Sequence, residues 1–525
     1  MTGKPMVVSC MLLCLSLAVL LTTVSAQPPM TPDRKAYSDA TKIKEPDKKI
    51  EAMEKFITDF PKSQSLYSAH QVIFETLVKN NPDQKDRILA NANKALEKAP
   101  DFMKTYLYSD LANKLFDAGI MLDEAELLAT KGLAATEEEL AKQAKQRKAG
   151  YYATLGRIYL KQGKLKEAEK ELKQANEFNP QLTSVLIGLA ELSLKQNNEK
   201  LALNYYADAA VSGKMPAESR RQFEALYSKS NNGSLNGLEA MLDAKYNKLY
   251  PHPVKVEHYA PTAKRSNRTV LAEVFTGSGC PPCVAADLGF DAMMERYKRD
   301  EVTVIMYHLH IPQPDPMTNP ATQARAKYYG VGGVPTYALE GKTSSGGGSR
   351  ENTQSFYDRV NPEVEALLEK AAEAELKLDA AMDGATIKAK ATVNNVKSDS
   401  AGLKLHIVLA EEKIRYTGEN GIRFHPMVVR SVAGTEYGGF AVTAKDNQTF
   451  EWTFDLGAIS AEAKKHLDEY EKAGHRGEPF TFSEKKDQID PNNLTIIAFV
   501  QDEKSKAVLQ STSLKVKRQV AVNTR

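Results

Sequence analysis

Apolar residues recur at helical spacing from residue 33 to about 230, with few of the β-branched clusters that mark strands. Asn231-Asn232-Gly233-Ser234 breaks this run, and a last helix over 238–249 leads into Tyr250-Pro251-His252-Pro253, an extended linker. The pattern then changes. Residues 270–275 (Val-Leu-Ala-Glu-Val-Phe) form a short apolar run that reads as a buried parallel strand. Behind it, Leu288, Met293, Met294 and Tyr297 keep helical spacing over 284–298. From about 263 to 370 the predicted order is strand, helix, strand, loop, helix, strand, turn, strand, helix, with the second strand over 302–310. Thr318 or Asn319 as N-cap, Pro320 in the first turn and Gly330 just past the end bound the middle helix. After about 371 the period drops to two. Strands are predicted over 376–382, 386–393, 403–409, 427–432, 450–456, 494–501 and 507–516. Asp383-Gly384 is a tight hairpin signal between the first two, and a helix over 460–472 interrupts the series.

These changes of period predict a multidomain chain: an all-α array over 33–230, a helix and linker over 231–262, an α/β domain over 263–370, and an all-β, sandwich-like domain over 371–525. One repeat stands out in the array. Tyr152, Leu155, Gly156, Tyr159, Ala168, Leu172, Ala175 and Pro180 place small residues where two helices must approach and large ones where neighbouring repeats meet. This spacing resembles the tetratricopeptide consensus over a whole repeat. One 34-residue step later Leu186, Leu189, Ala190, Leu194, Ala202, Tyr206 and Ala209 repeat it less perfectly. Residues 50–61 and 88–100 each resemble the second helix of a repeat ending in proline. Four to five helical pairs are expected, and the resemblance implies an array that docks a protein partner.

Composition adds a compartment. Lys4, the apolar stretch over 7–21 and Val24-Ser25-Ala26 read as a secretory leader over 1–26, so the mature chain is expected to be exported, into the periplasm or in association with the outer membrane if the source is bacterial. Nothing later in the chain is long and apolar enough to span a membrane. An uncleaved anchor and a lipid-anchored start at Cys10 are the rival readings of the leader. Cleavage removes Cys10 and Cys14, leaving two of the four cysteines, Cys280 and Cys283. A single pair in an exported chain is no disulfide framework. The net charge of +3 falls to +2 without the leader, which argues against a nucleic-acid surface.

Gly277-Ser278-Gly279-Cys280-Pro281-Pro282-Cys283 lies where the first strand turns into a helix. Unpaired N–H groups and the helix dipole at such a junction favour a thiolate at Cys280. Cys280 is therefore expected to be the exposed, low-pKa nucleophile and Cys283 the buried, resolving thiol. Fifty-two residues after Cys283, Gly333-Val334-Pro335-Thr336 enters the third strand. The two motifs together resemble the thioredoxin-like superfamily over about a hundred residues. The resemblance implies a cis proline at 335 lying against the dithiol, with Val334, Pro335 and Thr336 positioning an extended substrate. The run from Glu273 to Cys280 also resembles a group of secreted thioredoxin-fold proteins of unsettled function. Two departures are visible. Gly279 stands where a tryptophan commonly precedes the first cysteine, and Val274 stands where the family's buried strand acid would align. Glu273 points to the opposite face, which makes it a poor proton relay.

His308 and His310 alternate with Val304 and Met306 on one predicted strand face, at the edge that carries the dithiol. They are candidates for tuning Cys280 or joining it on a metal, against the plainer reading of one buried histidine and one loop residue. The proline-rich loop over 311–317 reads as a substrate rim or a connector. Ser344-Ser345-Gly346-Gly347-Gly348-Ser349 is expected to be a flexible turn without a ligand. Packing and surface roles are expected for His425, Arg430 and Trp452. The C-terminal region resembles the β-domain that follows a thioredoxin-like core in some bacterial outer-membrane-associated proteins.

Three functions compete. The first is an exported thiol–disulfide oxidoreductase acting on protein thiols or disulfides, without cofactor or metal, with a client docked on the repeats. The second is a copper or zinc carrier using Cys280, Cys283 and a histidine. It resembles copper-delivery proteins on this fold, whose cysteines are separated by three residues. The third is a non-catalytic scaffold with a structural disulfide, which so short a loop would stabilise little.

Overall fold

The computed structural model describes residues 30–136, 141–443, 445, 447–477 and 479–518. The leader predicted over 1–26, with Cys10 and Cys14, lies outside the described residues. The chain divides into two compact units, Met1–Ala135 and Thr136–Arg525.

The described part of the first unit is helical: α1 (Pro32–Thr41), α2 (Pro46–Asp59), α3 (Leu66–Asn80), α4 (Lys85–Lys98), α5 (Asp101–Ala118) and α6 (Leu122–Ala135). Prolines open α1 and α2 where their missing N–H groups have no intrahelical partner, and Gly119 closes α5 in a left-handed conformation. Consecutive helices pack in pairs through one apolar face each. Ile73, Phe74 and Leu77 of α3 and Ile88, Ala92 and Ala95 of α4 are fully buried or nearly so.

The second unit opens with α7 (Ala141–Gln162), α8 (Leu165–Phe178), α9 (Thr183–Lys195), α10 (Glu199–Ala210), α11 (Ala217–Ser230) and α12 (Leu238–Leu249). Leu172 of α8 explains the small residues around it. A Cβ on Gly156 of α7 would fall 2.6 Å from its Cγ, and one on Gly188 of α9 2.4 Å from its Cδ2. One leucine thus locks three helices, and glycine is what lets them approach. The N-terminal region is a helical repeat.

A mixed-sheet region follows. Its elements are β1 (Val270–Thr276), α13 (Cys283–Arg296), β2 (Val302–His308), α14 (Pro320–Tyr329), β3 (Thr336–Leu339), β4 (Lys342–Ser345) and α15 (Thr353–Leu368). After them come β5 (Glu375–Asp383), β6 (Thr386–Asn394), β7 (Leu403–Arg415), β8 (Phe424–Val432), β9 (Phe440–Ala441), β10 (Gln448–Asp455), α16 (Leu456–Ala473), β11 (Leu494–Asp502), β12 (Val508–Lys515) and β13 (Lys517–Arg518). β1 and β2 are parallel, from Val270 opposite Val302 to Thr276 opposite His308, and β3 joins β1 antiparallel. β2 ends at His308, two residues short of the predicted end, because Ile311-Pro312 and the prolines after it break the ladder.

The sheet does not stop at the boundary predicted between 370 and 371. Its order runs β12-β11-β7-β8-β2-β1-β3-β4, so strands of the C-terminal region extend the sheet of the preceding one. A second sheet, β10-β6-β5-β13, packs against one face of β7 and β11, as in a sandwich. That face buries Leu405, Ile407 and Leu409 with Ile496, Ala498 and Val500. The other face buries Val408, Ala410, Ile497 and Phe499 in the core that also holds Val274 and Phe275 of β1. The C-terminal region is therefore not all-β on its own core. It carries α16, and β7 and β11 are buried on both faces.

Candidate functional site

Cys280 and Cys283 are joined by a disulfide in the turn between β1 and α13. Cys283 N–H donates to Cys280 O (3.2 Å) and Val284 N–H to Pro281 O (3.4 Å), so the turn winds directly into the helix. The prolines between them carry no N–H, and Ala285 N–H is taken up by Gly348 O (3.0 Å). The open N–H groups expected around Cys280 are thus engaged, and the helix dipole remains as the electrostatic term at the sulfur.

The exposure predicted for Cys280 is not met: it is 1 % exposed and Cys283 0 %. Three segments account for this. Val334 lies on one side, with its carbonyl oxygen 3.8 Å from Cys280 Sγ and a cis bond to Pro335. Gly346–Gly348 pass over the turn. The proline-rich loop forms a third wall: a Cβ on Gly279 would fall 2.7 Å from Gln313 Cβ, and one on Gly277 2.5 Å from Ile311 O. That is why glycine, and no tryptophan, precedes Cys280. Thr336 Oγ1 donates to Gly333 O (2.8 Å) while its backbone pairs with Phe275.

The two histidines separate. His308, at the end of β2, is buried with Nδ1 2.9 Å from Asp315 Oδ2, and that same oxygen accepts from Ser278 N–H (2.6 Å). Burial alone would lower the His308 pKa, but the carboxylates of Asp315 and Asp287 outweigh it and raise it. Asp315 is held well below the ordinary carboxylate range, despite burial, by His308 and the N–H groups of Ser278 and Met317. His308 therefore acts on the dithiol turn through Asp315. His310 does not share its face. It accepts from Asp315 N–H at Nδ1 and stacks on Tyr470 of α16, ring centres 3.8 Å apart, and burial lowers its pKa to about 4. Among the described residues no group of three or more His, Cys, Asp or Glu is placed to hold a metal ion.

Asp287, one helical turn after Cys283, was not singled out from the sequence. It is buried, accepts from Thr276 Oγ1 (2.8 Å) through Oδ2, and leaves Oδ1 without a partner; burial raises its pKa to about 7. Its signal was its place on the same face of α13 as Cys283. Glu273 is occupied elsewhere, by Arg325 (2.7 and 2.8 Å) and the hydroxyls of Tyr307 (3.0 Å) and Tyr329 (2.7 Å). Trp452 packs edge-on to Phe440, and Arg430 donates to the carbonyls of Lys486 and Asp487. His425 is buried against Tyr416 O.

One further element reaches the dithiol. The tip of the β7–β8 hairpin lies on the turn: Asn420 N–H donates to Ser278 O (3.0 Å), and Ile422 packs on Val284 and Leu288 of α13. The hairpin is tied to α12 by the last residue of β7 and the residue before β8. Arg415 and Arg423 each bind Asp243, and Arg423 also binds Glu239 (2.5 Å). A Cβ on Gly213, between α10 and α11, would fall 1.7 Å from Gly418 O, and one on Gly418 2.4 Å from Ser278 O. Three backbones are stacked from the helical repeat to the dithiol turn.

No protein-family model matches the chain, and no curated protein does. Solved structures do. PilF of Pseudomonas aeruginosa is 18% identical over 42% of this chain and 94% of its own, with a TM-score of 0.28. PilW, a type IV pilus biogenesis factor, is 16% identical over 43% and 96%, with a TM-score of 0.30. A domain of the outer membrane lipoprotein Omp28 from Porphyromonas gingivalis is 14% identical over 28% and 92%, with a TM-score of 0.18. Likenesses this weak assign no activity. No helix among the described residues is long and apolar enough to cross a membrane.

Proposed function

We propose that the chain is an exported thiol–disulfide oxidoreductase with a thioredoxin-like core, whose helical repeat docks the protein client. The observation that carries this reading is the Cys280–Cys283 disulfide at the start of α13 with Val334 and Pro335 against it. A client thiolate attacks Cys280 Sγ, the bond to Cys283 breaks, and Cys283 leaves as the thiolate. A second client thiolate then displaces Cys280, so the client leaves oxidised and the chain reduced. In the reverse direction Cys280 opens a client disulfide and Cys283 resolves the mixed disulfide. Val334, Pro335 and Thr336 would hold an extended client backbone. The anchoring of the β7–β8 hairpin on α12 supports a helical repeat that presents its client to this turn. Insulin reduction and oxidative refolding of a reduced protein test the reading. Wild type is expected to accelerate at least one of them and Cys280→Ser neither; equal rates for the two chains in both assays would sink it.

A further inference from the structure

Gly346, Gly347 and Gly348 leave β4 and cross the mouth of the dithiol site. Gly348 N–H donates to Pro282 O (2.7 Å), and Gly348 O accepts from Ala285 N–H (3.0 Å). This donor-and-acceptor pair is what an added extended segment presents to a backbone edge. Gly347 is wedged between the two motifs: a Cβ there would fall 2.0 Å from Pro282 O and 2.6 Å from Pro335 Cγ. The segment therefore bridges the turn of the dithiol and the proline facing it, and Cys280 beneath is 1 % exposed. Gly346 (φ +140°) and Gly348 (φ +153°) hold backbone angles that favour glycine, so the crossing is written into the three residues.

We propose that this triglycine segment is an internal stand-in for the client, filling the groove between Pro282 and Pro335 that an extended client backbone must enter to reach Cys280. The partner that fits the groove is an extended polypeptide with glycine or another very small residue between those two prolines, because the groove excludes a Cβ there. Entry displaces the strap, releases the N–H of Ala285 and the carbonyl of Pro282 for pairing with the client, and opens Cys280 to attack. The client sulfur then bonds to Cys280 Sγ as the Cys280–Cys283 bond breaks and Cys283 leaves as thiolate. The role assigned to the client rests on the oxidoreductase reading; the shielding of the disulfide does not.

Gly347→Ala in the full-length chain separates the two. Gly347 does not itself hold a glycine-only φ, so alanine opposes the closed strap through its Cβ and leaves the backbone otherwise free. Reduction of the oxidised chain by dithiothreitol, followed by alkylation and mass, is expected to be about tenfold faster in Gly347→Ala, as for a tenfold larger open fraction. A folded variant reduced within about twofold of the wild-type rate would overturn the proposal. Amide exchange in a chain with wild-type glycines gives an independent reading. A glycine-flanked cysteine peptide, delivered as its thiopyridyl disulfide to Cys283→Ser, should deprotect the Gly348 amide, while the Ala285 amide, now paired with the peptide, and the centre of β1 stay protected. Continued protection of the Gly348 amide in the adduct would also overturn it. If Gly347→Ala is reduced faster but no protein substrate is turned over, the strap stands and the oxidoreductase reading fails. If protein substrates are turned over and Gly347→Ala is reduced no faster, the strap alone fails.

Discussion

Burial raises the pKa of Asp287, and its stability contribution follows from that. Its folded-state pKa of about 7 lies above the ordinary aspartate value of 3.8, so the folded chain holds this proton more tightly than the unfolded one. The contribution is fully present below the ordinary value and is lost as pH rises through about 7. His308, Asp315 and Asp291 are the charged groups that act on it, His308 opposing the shift and the two aspartates adding to it. Asp287→Asn removes the titration. Its melting temperature relative to wild type is expected to be higher at pH 8 than at pH 5, and a difference independent of pH would contradict the assignment. The sequence showed Cys280, Cys283, Val334 and Pro335 because each belongs to a local motif. Asp287 and Asp315 were hidden, since a single carboxylate on a helix or in a proline-rich loop carries no local sign that it is buried.

At the scale of elements, the β7–β8 hairpin joins the helical repeat to the dithiol turn. Arg423 is 2 % exposed, whereas its partner Glu239 is half-exposed. Arg423→Ala is expected to cost about 2 kcal/mol, below the roughly 3–5 kcal/mol of a fully buried pair. It should also speed amide exchange at Asn420 by freeing the hairpin tip. Denaturant midpoints and exchange rates check this; an unchanged Asn420 amide in a destabilised chain would mean that the anchor does not reach the turn. The helical pairs and most strands were legible from their periods. The strap was legible only as a run of small residues and read as a free turn, because what orders it is Pro282 and Pro335, 65 and 12 residues away from Gly347 in the chain. His310 left the face of His308 for a similar reason: period-two alternation assumes that the ladder continues, and the prolines end it.

For the whole molecule, the shared sheet decides how the mixed-sheet region holds together. A period of two predicts one buried face, but β7 and β11 are apolar on both, since each closes two cores. Ile407 lies in the core between the two sheets and is 0 % exposed. Ile407→Ala is expected to cost about 2–5 kcal/mol, and the loss should appear in the exchange of β1 amides across the sheet as well as in β7. Slower-exchanging β1 amides that keep their wild-type protection would show an independent C-terminal domain, as the sequence alone predicted.

The most direct test of the dithiol is to trap its client. In Cys283→Ser the resolving thiol is gone, so mixed disulfides formed at Cys280 persist; in Cys280→Ser none should form, because Val334 lies against Cys280 Sγ (3.8 Å) whereas Cys283 is already inside α13. Both variants are expressed in an oxidising bacterial periplasm, alkylated, separated on non-reducing gels and mapped by mass spectrometry. Protein adducts through Cys280 in the first variant and none in the second is the predicted result. Adducts through Cys283 in Cys280→Ser, with none through Cys280, would invert the order of the two thiols, and no adducts in either chain would contradict disulfide exchange with proteins altogether.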